Sequence, residues 1–122
     1  MENEEINLNP ELDIKPEVSY DDVMKIDIRI GKIESVEKVE NTDKLYKLIV
    51  SFGLETKTIV SAIADKVSEE DLLGKRMPFV INMPPRKLRG IVSEGMIVMA
   101  ENADSSLHPI FAINAEPGAI IF

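Results

Sequence analysis

The chain has 122 residues, 44% hydrophobic and 30% charged, with a formal net charge of −8, which is enough for one compact core and too little for two. Cysteine is absent, excluding disulfide frameworks, thiolate metal sites and thiol catalysis; the single histidine, His108, has no companion at ligand spacing, so it is read as a plain loop or edge residue and neither metal nor cofactor is expected. No apolar run reaches 18 residues and the N-terminus is polar and acidic, which points to a soluble, cytoplasmic protein without a signal peptide.

The negative charge is unevenly placed. Residues 1 to 19 hold six carboxylates and one lysine, so five of the eight net negative charges sit there and three remain for the other 103 residues. Residues 1–18, with two prolines and no apolar period, are expected to be an acidic flexible segment, and residues 19–122 the folded domain. A body this mildly acidic can still present a local cationic patch to a polyanion.

In chain order, Ser19 is placed to cap a short helical turn over Tyr20 to Met24, with Asp21 and Asp22 at its favourable end. Ile26, Ile28 and Ile30 then alternate with polar residues until Gly31, after which the apolar phase shifts to Ile33, as expected where a strand bends at a bulge or barrel corner. Asn41 to Asp43 form a turn, and Tyr46, Leu48, Val50 and Phe52 face inward on a second strand with Lys47 outward. A hairpin-length link leads to a third strand, Thr56 to Ile63. Ser68 to Gly74 read as a serine-capped helical turn stopped by glycine. A fourth strand points Met77, Phe79 and Ile81 inward and Pro78 outward, with the proline implying an edge. The fifth, Met96 to Ala100, is continuously apolar; a further strand is expected at Ile110 to Ile113, then a turn at Glu116 to Gly118 and an apolar end, Ala119 to Phe122.

Between the fourth and fifth strands runs NMPPRKLRGIVSEGM, residues 82–96. Pro84 and Pro85 hold it extended and remove two donors, and Arg86, Lys87 and Arg89 put three cations within four residues before Gly90. It reads as a rigidly mounted basic loop. Five short strands, a kinked first strand and a helix between the third and fourth favour an all-β fold: a five-stranded oligonucleotide-binding barrel with short helical turns and a C-terminal strand extension, an open sandwich being the competitor.

The segments DVMKIDIRIGKIESVEKVENTDKLYKLIV, TIVSAIA, GKRMPFVINMPPRKLRGIVSEGM and PGA closely resemble the tRNA-binding domain family, over about Asp21 to Phe122. The resemblance rests on D-x-R-x-G at Asp27, Arg29 and Gly31, N-x-D-K-L at Asn41, Asp43, Lys44 and Leu45, K-L-R-G at Lys87 to Gly90, and S-x-G-M at Ser93 to Met96. Members include the C-terminal appendix of methionyl-tRNA synthetases and stand-alone dimeric tRNA-binding proteins. The resemblance implies a non-catalytic barrel that holds tRNA by shape near its corner, often as a homodimer. The chain's Met1 start is read as a free-standing or separately encoded subunit, accessory to a methionyl enzyme. Aromatic residues make up only 5% of the chain and tryptophan is absent, which independently leaves few platforms for base stacking.

Carried onto this chain, the resemblance makes Lys87 and Arg89 the leading phosphate ligands, with Asn41, Lys44 and Arg86 beside them. Ser61 and Ser93 either donate to phosphate or sugar or satisfy a nearby strand end, Asn41 either contacts RNA or shapes its own turn, Met96 is core or platform, and Lys47 is added as an outward cation. Ala62 stands where the family commonly has glycine, and the doubled proline stiffens a loop that is often more varied. An enzyme is not expected: GIVSEG is not a nucleophile elbow and no glycine-rich phosphate loop precedes a helix. The alternative reading is a peptide-binding secretion-type chaperone of the same barrel family, and a third is a pure assembly module using the apolar tail.

Overall fold

A strand that is shared between both halves of a sheet must be long and must bend, and β1 (Ile28–Lys38) does both in the computed structural model, which describes residues 14–122. Its first half pairs antiparallel with β4 (Arg76–Val80) and its second half with β2 (Tyr46–Ser51), the two ladders meeting at Lys32. Gly31 sits at this handover. A Cβ there would lie 2.4 Å from Val50 Cγ1 and 2.8 Å from the Phe52 ring, so the bend needs a residue without a side chain. The bulge falls a little later, between Ile33 and Ser35, and leaves Glu34 outside the ladder.

β2 pairs in turn with β3 (Thr56–Ser61), and β4 with a two-residue strand, β7 (Met96–Ile97), giving the order β3-β2-β1-β4-β7. Between β4 and β7 lie β5 (Arg86–Leu88) and β6 (Ile91–Ser93), and after β7 come β8 (Met99–Glu101), β9 (Leu107–Pro109) and β10 (Ile120–Ile121). The five-strand path is the expected barrel, and β10 adds a short C-terminal strand beside Ile28 and Arg29. Tyr46, Leu48, Val50 and Phe52 all face inward as the alternation predicts, joined by Ile33, Met77 and Phe79. Phe52 and Phe79 meet edge-to-face at 5.6 Å, an arrangement worth about 0.5–1.5 kcal/mol beyond the area buried. The Tyr46 hydroxyl donates to the Val67 carbonyl at 2.7 Å, satisfying the one polar atom that side chain carries into the core.

Helix α1 (Tyr20–Met24) is capped by Ser19, whose hydroxyl accepts from the Asp22 N–H at 3.0 Å. Asn82 ties it to the sheet, accepting from the Asp27 N–H and donating to the Lys25 carbonyl. Helix α2 (Glu69–Leu72) plugs the barrel with the fully buried Leu72, but Ser68 makes no side-chain cap bond. Its stop is Gly74, at φ +78.

Four expectations are corrected. Pro78 keeps the phase opposite Met77 and Phe79 but is buried there, and its strand lies between β1 and β7 rather than at an edge; its carbonyl accepts from the Val98 N–H, so its missing donor faces the side where β7 runs out and the ladder loses nothing. Met96 to Ala100 is two strands in different sheets, because β8 leaves to pair with β9. Ile110 to Ile113 is not a strand; the pairing segment is Leu107–Pro109. Residues 82–96 are not a loop but contain the β5–β6 hairpin. Of the expected flexible segment, residues 1–13 lie outside the described residues, and 14–18 are exposed without regular structure. Among the described residues no helix is long and apolar enough to cross a membrane.

Candidate nucleic-acid interface

Among the described residues, no strand is laddered to the outer edge of β3. Its backbone groups are met by the end of β6 and the residue that follows it. The Ser93 hydroxyl accepts from the Val60 N–H at 2.9 Å and donates to the Gly95 carbonyl at 3.1 Å. One residue on, the Glu94 carboxylate accepts from the Thr58 N–H at 2.8 Å, while the Glu94 N–H donates to the Thr58 carbonyl at 2.8 Å. Gly95 permits the approach, since a Cβ there would lie 2.8 Å from the Val80 carbonyl oxygen. These contacts close the barrel and set the β5–β6 hairpin over the end of β3.

The hairpin turns on two residues. Leu88 pairs with Ile91, and Arg89 and Gly90 between them have φ +52 and +83, the two positive values of a type I′ turn. Arg86 and Leu88 fall on the hairpin face with Ser93, turned toward β3, and Lys87 falls on the opposite face with Val92. The turn end projects Arg89.

Two adjoining recesses result. A slot of about 190 Å³ is lined by Val60, Ser61, Ala62 and Gly95 on one side and by Pro84, Arg86, Leu88 and Met96 on the other. A shallower cleft brings Arg89 against Asn41, Asp43 and Lys44 of the β1–β2 turn. Leu45 and Ala62 line both, so the two adjoin. The turn is held by the Val39 N–H bonded to the Leu45 carbonyl and by the Thr42 hydroxyl on the Val39 carbonyl, with Asn41 in the left-handed region at φ +63.

The expected site residues therefore separate. Arg86, Arg89, Asn41, Lys44, Ser61 and Met96 gather around the two recesses, and Met96 is exposed there rather than core. Lys87 flanks them from the far face of the hairpin. Lys47 lines neither recess, being on the outer face of β2 opposite Glu37. Ser93 is 5% exposed, with its hydroxyl committed inside the fold, which removes it as a phosphate or sugar donor. Leu45, Leu88 and Glu94 were missed, although each lies within one of the motifs singled out in the sequence.

Lys44 and the three hairpin cations gather at this end of the molecule. Lys25, Arg29 and Lys57 each form an ion pair with a carboxylate, and Arg76 donates to a backbone carbonyl. Among the described residues no ion pair engages Lys44, Arg86, Lys87 or Arg89, all of them exposed. Such a face presents donors to an anion without first breaking internal bonds.

A curled five-stranded barrel with a cationic hairpin across its last edge defines a nucleic-acid-binding barrel of the oligonucleotide-binding type. The family described as "Putative tRNA binding domain" matches residues 28–119, and the chain belongs to that tRNA-binding domain family. It is 50% identical over 105 residues to a methionine–tRNA ligase of Bacteroides fragilis, covering 86% of this chain and 15% of that protein. The corresponding enzyme of Cytophaga hutchinsonii is 41% identical over 120 residues, 93% of this chain and 17% of the relative. The chain thus spans about one-sixth of the length of these relatives. Among solved structures, a MetRS-related protein from Pyrococcus horikoshii superposes with a TM-score of 0.85 at 37% identity, covering 88% of this chain and all of the other. The CsaA chaperone protein from Picrophilus torridus does so at 0.78 and 29%, over 87% and 100%.

Replacing Ser93 with alanine leaves the Val60 N–H buried without a partner. The expected loss is about 1–3 kcal/mol, read from urea unfolding as a lower midpoint at unchanged slope. An unchanged midpoint would mean that Ser93 does not hold the closure.

Proposed function

We propose that the chain is a tRNA-holding module that grips the folded RNA by its phosphates, with little readout of sequence, and serves a methionyl-tRNA synthetase in the cytosol as an accessory or subunit. The observation that carries this reading is the set of cations without ion pairs on the hairpin and the β1–β2 turn. Arg89 offers a planar fork to a phosphate, and Lys44 and Lys87 act as flanking point charges. The larger aromatic residues favour shape over base readout: Tyr46, Phe52 and Phe79 are buried, while Tyr20, Phe111 and Phe122 lie on α1 and the C-terminal segment. The methionine–tRNA ligase relatives supply the link to that enzyme, where raising the local tRNA concentration is the simplest benefit of a weak binder.

The test compares total tRNA with an unstructured RNA of equal length and an unfolded polypeptide across a salt series. Unaltered protein should prefer tRNA with a steep salt dependence, and Lys87→Ala with Arg89→Ala should flatten the log-log slope by somewhat under about 1 per contact. Arg89→Gly sharpens the result. It relieves a left-handed φ, so stability should hold or rise while tRNA binding falls. Equal binding of the polypeptide, untouched by these changes, would instead favour the chaperone reading that the CsaA likeness keeps in view.

A homodimer is part of the same proposal. Met24 and Ile26 by α1 line a common, largely apolar recess with Ile120, Ile121 and Phe122, and all five are exposed, more contiguous apolar surface than a single subunit normally leaves in water. Light scattering should give twice the chain mass, falling to one chain in Met24→Asp with Ile120→Asp. A monomer at micromolar concentration in the unaltered protein would end this part of the reading.

A further inference from the structure

The cationic end is matched by a stretch of opposite charge in the same chain. Residues 1–13, outside the described residues, hold Glu2, Glu4, Glu5, Glu11 and Asp13 with no lysine, arginine or histidine, and so account for five of the eight net negative charges. Lys44, Arg86, Lys87 and Arg89 are exposed and engage no carboxylate among the described residues. We propose that residues 1–13 dock on the hairpin and the β1–β2 turn and compete there with RNA, so that the chain carries its own inhibitor of the site. This regulation rests on the proposed function.

Reach follows from the way α1 is fastened. Asn82 accepts from the Asp27 N–H and donates to the Lys25 carbonyl, so the chain enters the fold beside the residue from which the hairpin departs. Arg89 is seven residues beyond Asn82, and a stretch of that length spans at most about 25 Å. On the other side of this anchor, one short helix and the exposed, irregular residues 14–18 lie between Lys25 and Asp13. At about 1.5 Å per helical residue and about 3.5 Å per extended one, that stretch reaches about 30 Å, and the remaining acids lie further along the same tether. They can therefore meet the cations of the face with no change in the fold. A tether this short keeps the segment at about millimolar effective concentration, enough for weak ionic contacts to occupy the face.

Charge and surface select this face over the rest of the molecule. Lys25, Arg29 and Lys57 are held in ion pairs, Lys66 donates to the Ser105 carbonyl at 2.9 Å, and Lys75 lies over the Phe111 ring at 5.8 Å. The hairpin and the turn instead group four uncommitted cations around two exposed apolar side chains, Val92 and Met96. The segment intersperses its acids with Ile6, Leu8 and Leu12, a pattern that suits cations set among apolar surface. Carboxylate and phosphate ask the same planar contact of arginine, so the two occupants exclude one another. Folded tRNA, with many phosphates, displaces the segment; a short anion gains too little to do so. The segment thus raises the threshold for occupying the face.

The test compares the whole chain with a variant carrying Glu2→Gln, Glu4→Gln, Glu5→Gln, Glu11→Gln and Asp13→Asn. In isotopically labelled protein without RNA, the substitutions should shift the backbone amides of Lys44, Leu88 and Arg89 and leave Gly53 and Gly118 still. Rising salt should move the same amides of the unaltered chain toward the variant's positions as the contacts are screened. Against total tRNA, the variant should bind about threefold or more tighter at low salt, the scale set by a millimolar tether against a weak ionic contact, with the gain shrinking as salt rises. Tighter binding with unmoved hairpin amides would make the effect a general repulsion between segment and RNA and overturn the docking. Unchanged or weaker tRNA affinity would overturn the competition while leaving the phosphate reading intact. Amide shifts that fade on dilution would assign the segment to a neighbouring molecule and likewise overturn docking within the chain. Absence of salt-dependent tRNA binding by both proteins would remove the proposed function and the competition together, even where the amides move.

Discussion

The Val60 N–H lies on the side of β3 where no further strand arrives among the described residues, and the Ser93 hydroxyl is what meets it. A backbone donor abandoned at that buried edge would cost more than one surface contact returns, so the chain places a serine and then a glutamate where a ladder would otherwise run. This choice shapes the functional end. Because Ser93 and Glu94 are the last residue of the hairpin and the first beyond it, closing the barrel and seating the hairpin are the same act, and the slot and cleft exist only while that closure holds.

The motifs that place the chain in its family divide between scaffold and site. Asp27 and Arg29 pair at 2.7 Å, and Arg29 also reaches the Gly118 carbonyl at 3.4 Å. Gly118 in turn donates to Ile30 at 2.7 Å and approaches Phe52 so closely that a Cβ would lie 2.6 Å from its carbonyl oxygen. D-x-R-x-G and the late P-G-A are thus one fastening, which straps the C-terminal segment across β1 at Ile30. N-x-D-K-L and the Arg89 of K-L-R-G face each other across the cationic cleft. S-x-G-M serves both ends, with Ser93 and Gly95 in the closure and Met96 at the slot.

Period-two alternation made β2 readable residue by residue, since Tyr46 to Phe52 is long enough for four inward positions and one face is wholly buried. The same signal fails at residues 82–96. The strands there are three residues each, too short for a period, and Pro84 and Pro85 disguise the entry. The turn carries Arg89 in a left-handed conformation where asparagine or aspartate is the usual sign. Pro78 misled for another reason: a missing N–H marks one unpaired position on one side of a strand, not a whole edge, and β4 is paired on both sides. Convergence of Lys44, Arg86 and Arg89 was legible as an expectation because family motifs tie the two segments together. The dual use of Ser93 was not, because a buried serine and a phosphate-binding serine are the same letter until a partner N–H is placed beside it.

The central claim, that the hairpin and the β1–β2 turn form the RNA-contacting face, is tested most directly by following backbone amide shifts of isotopically labelled protein during titration with tRNA. The account predicts that the largest changes fall together on Asn41, Lys44, Ala62, Leu88 and Arg89, while Gly53 and Gly118, in the recess beside Phe52, stay still. Changes concentrated on Tyr20 to Met24 and Ile120 to Phe122, with the hairpin silent, would contradict it and move the RNA to the apolar face.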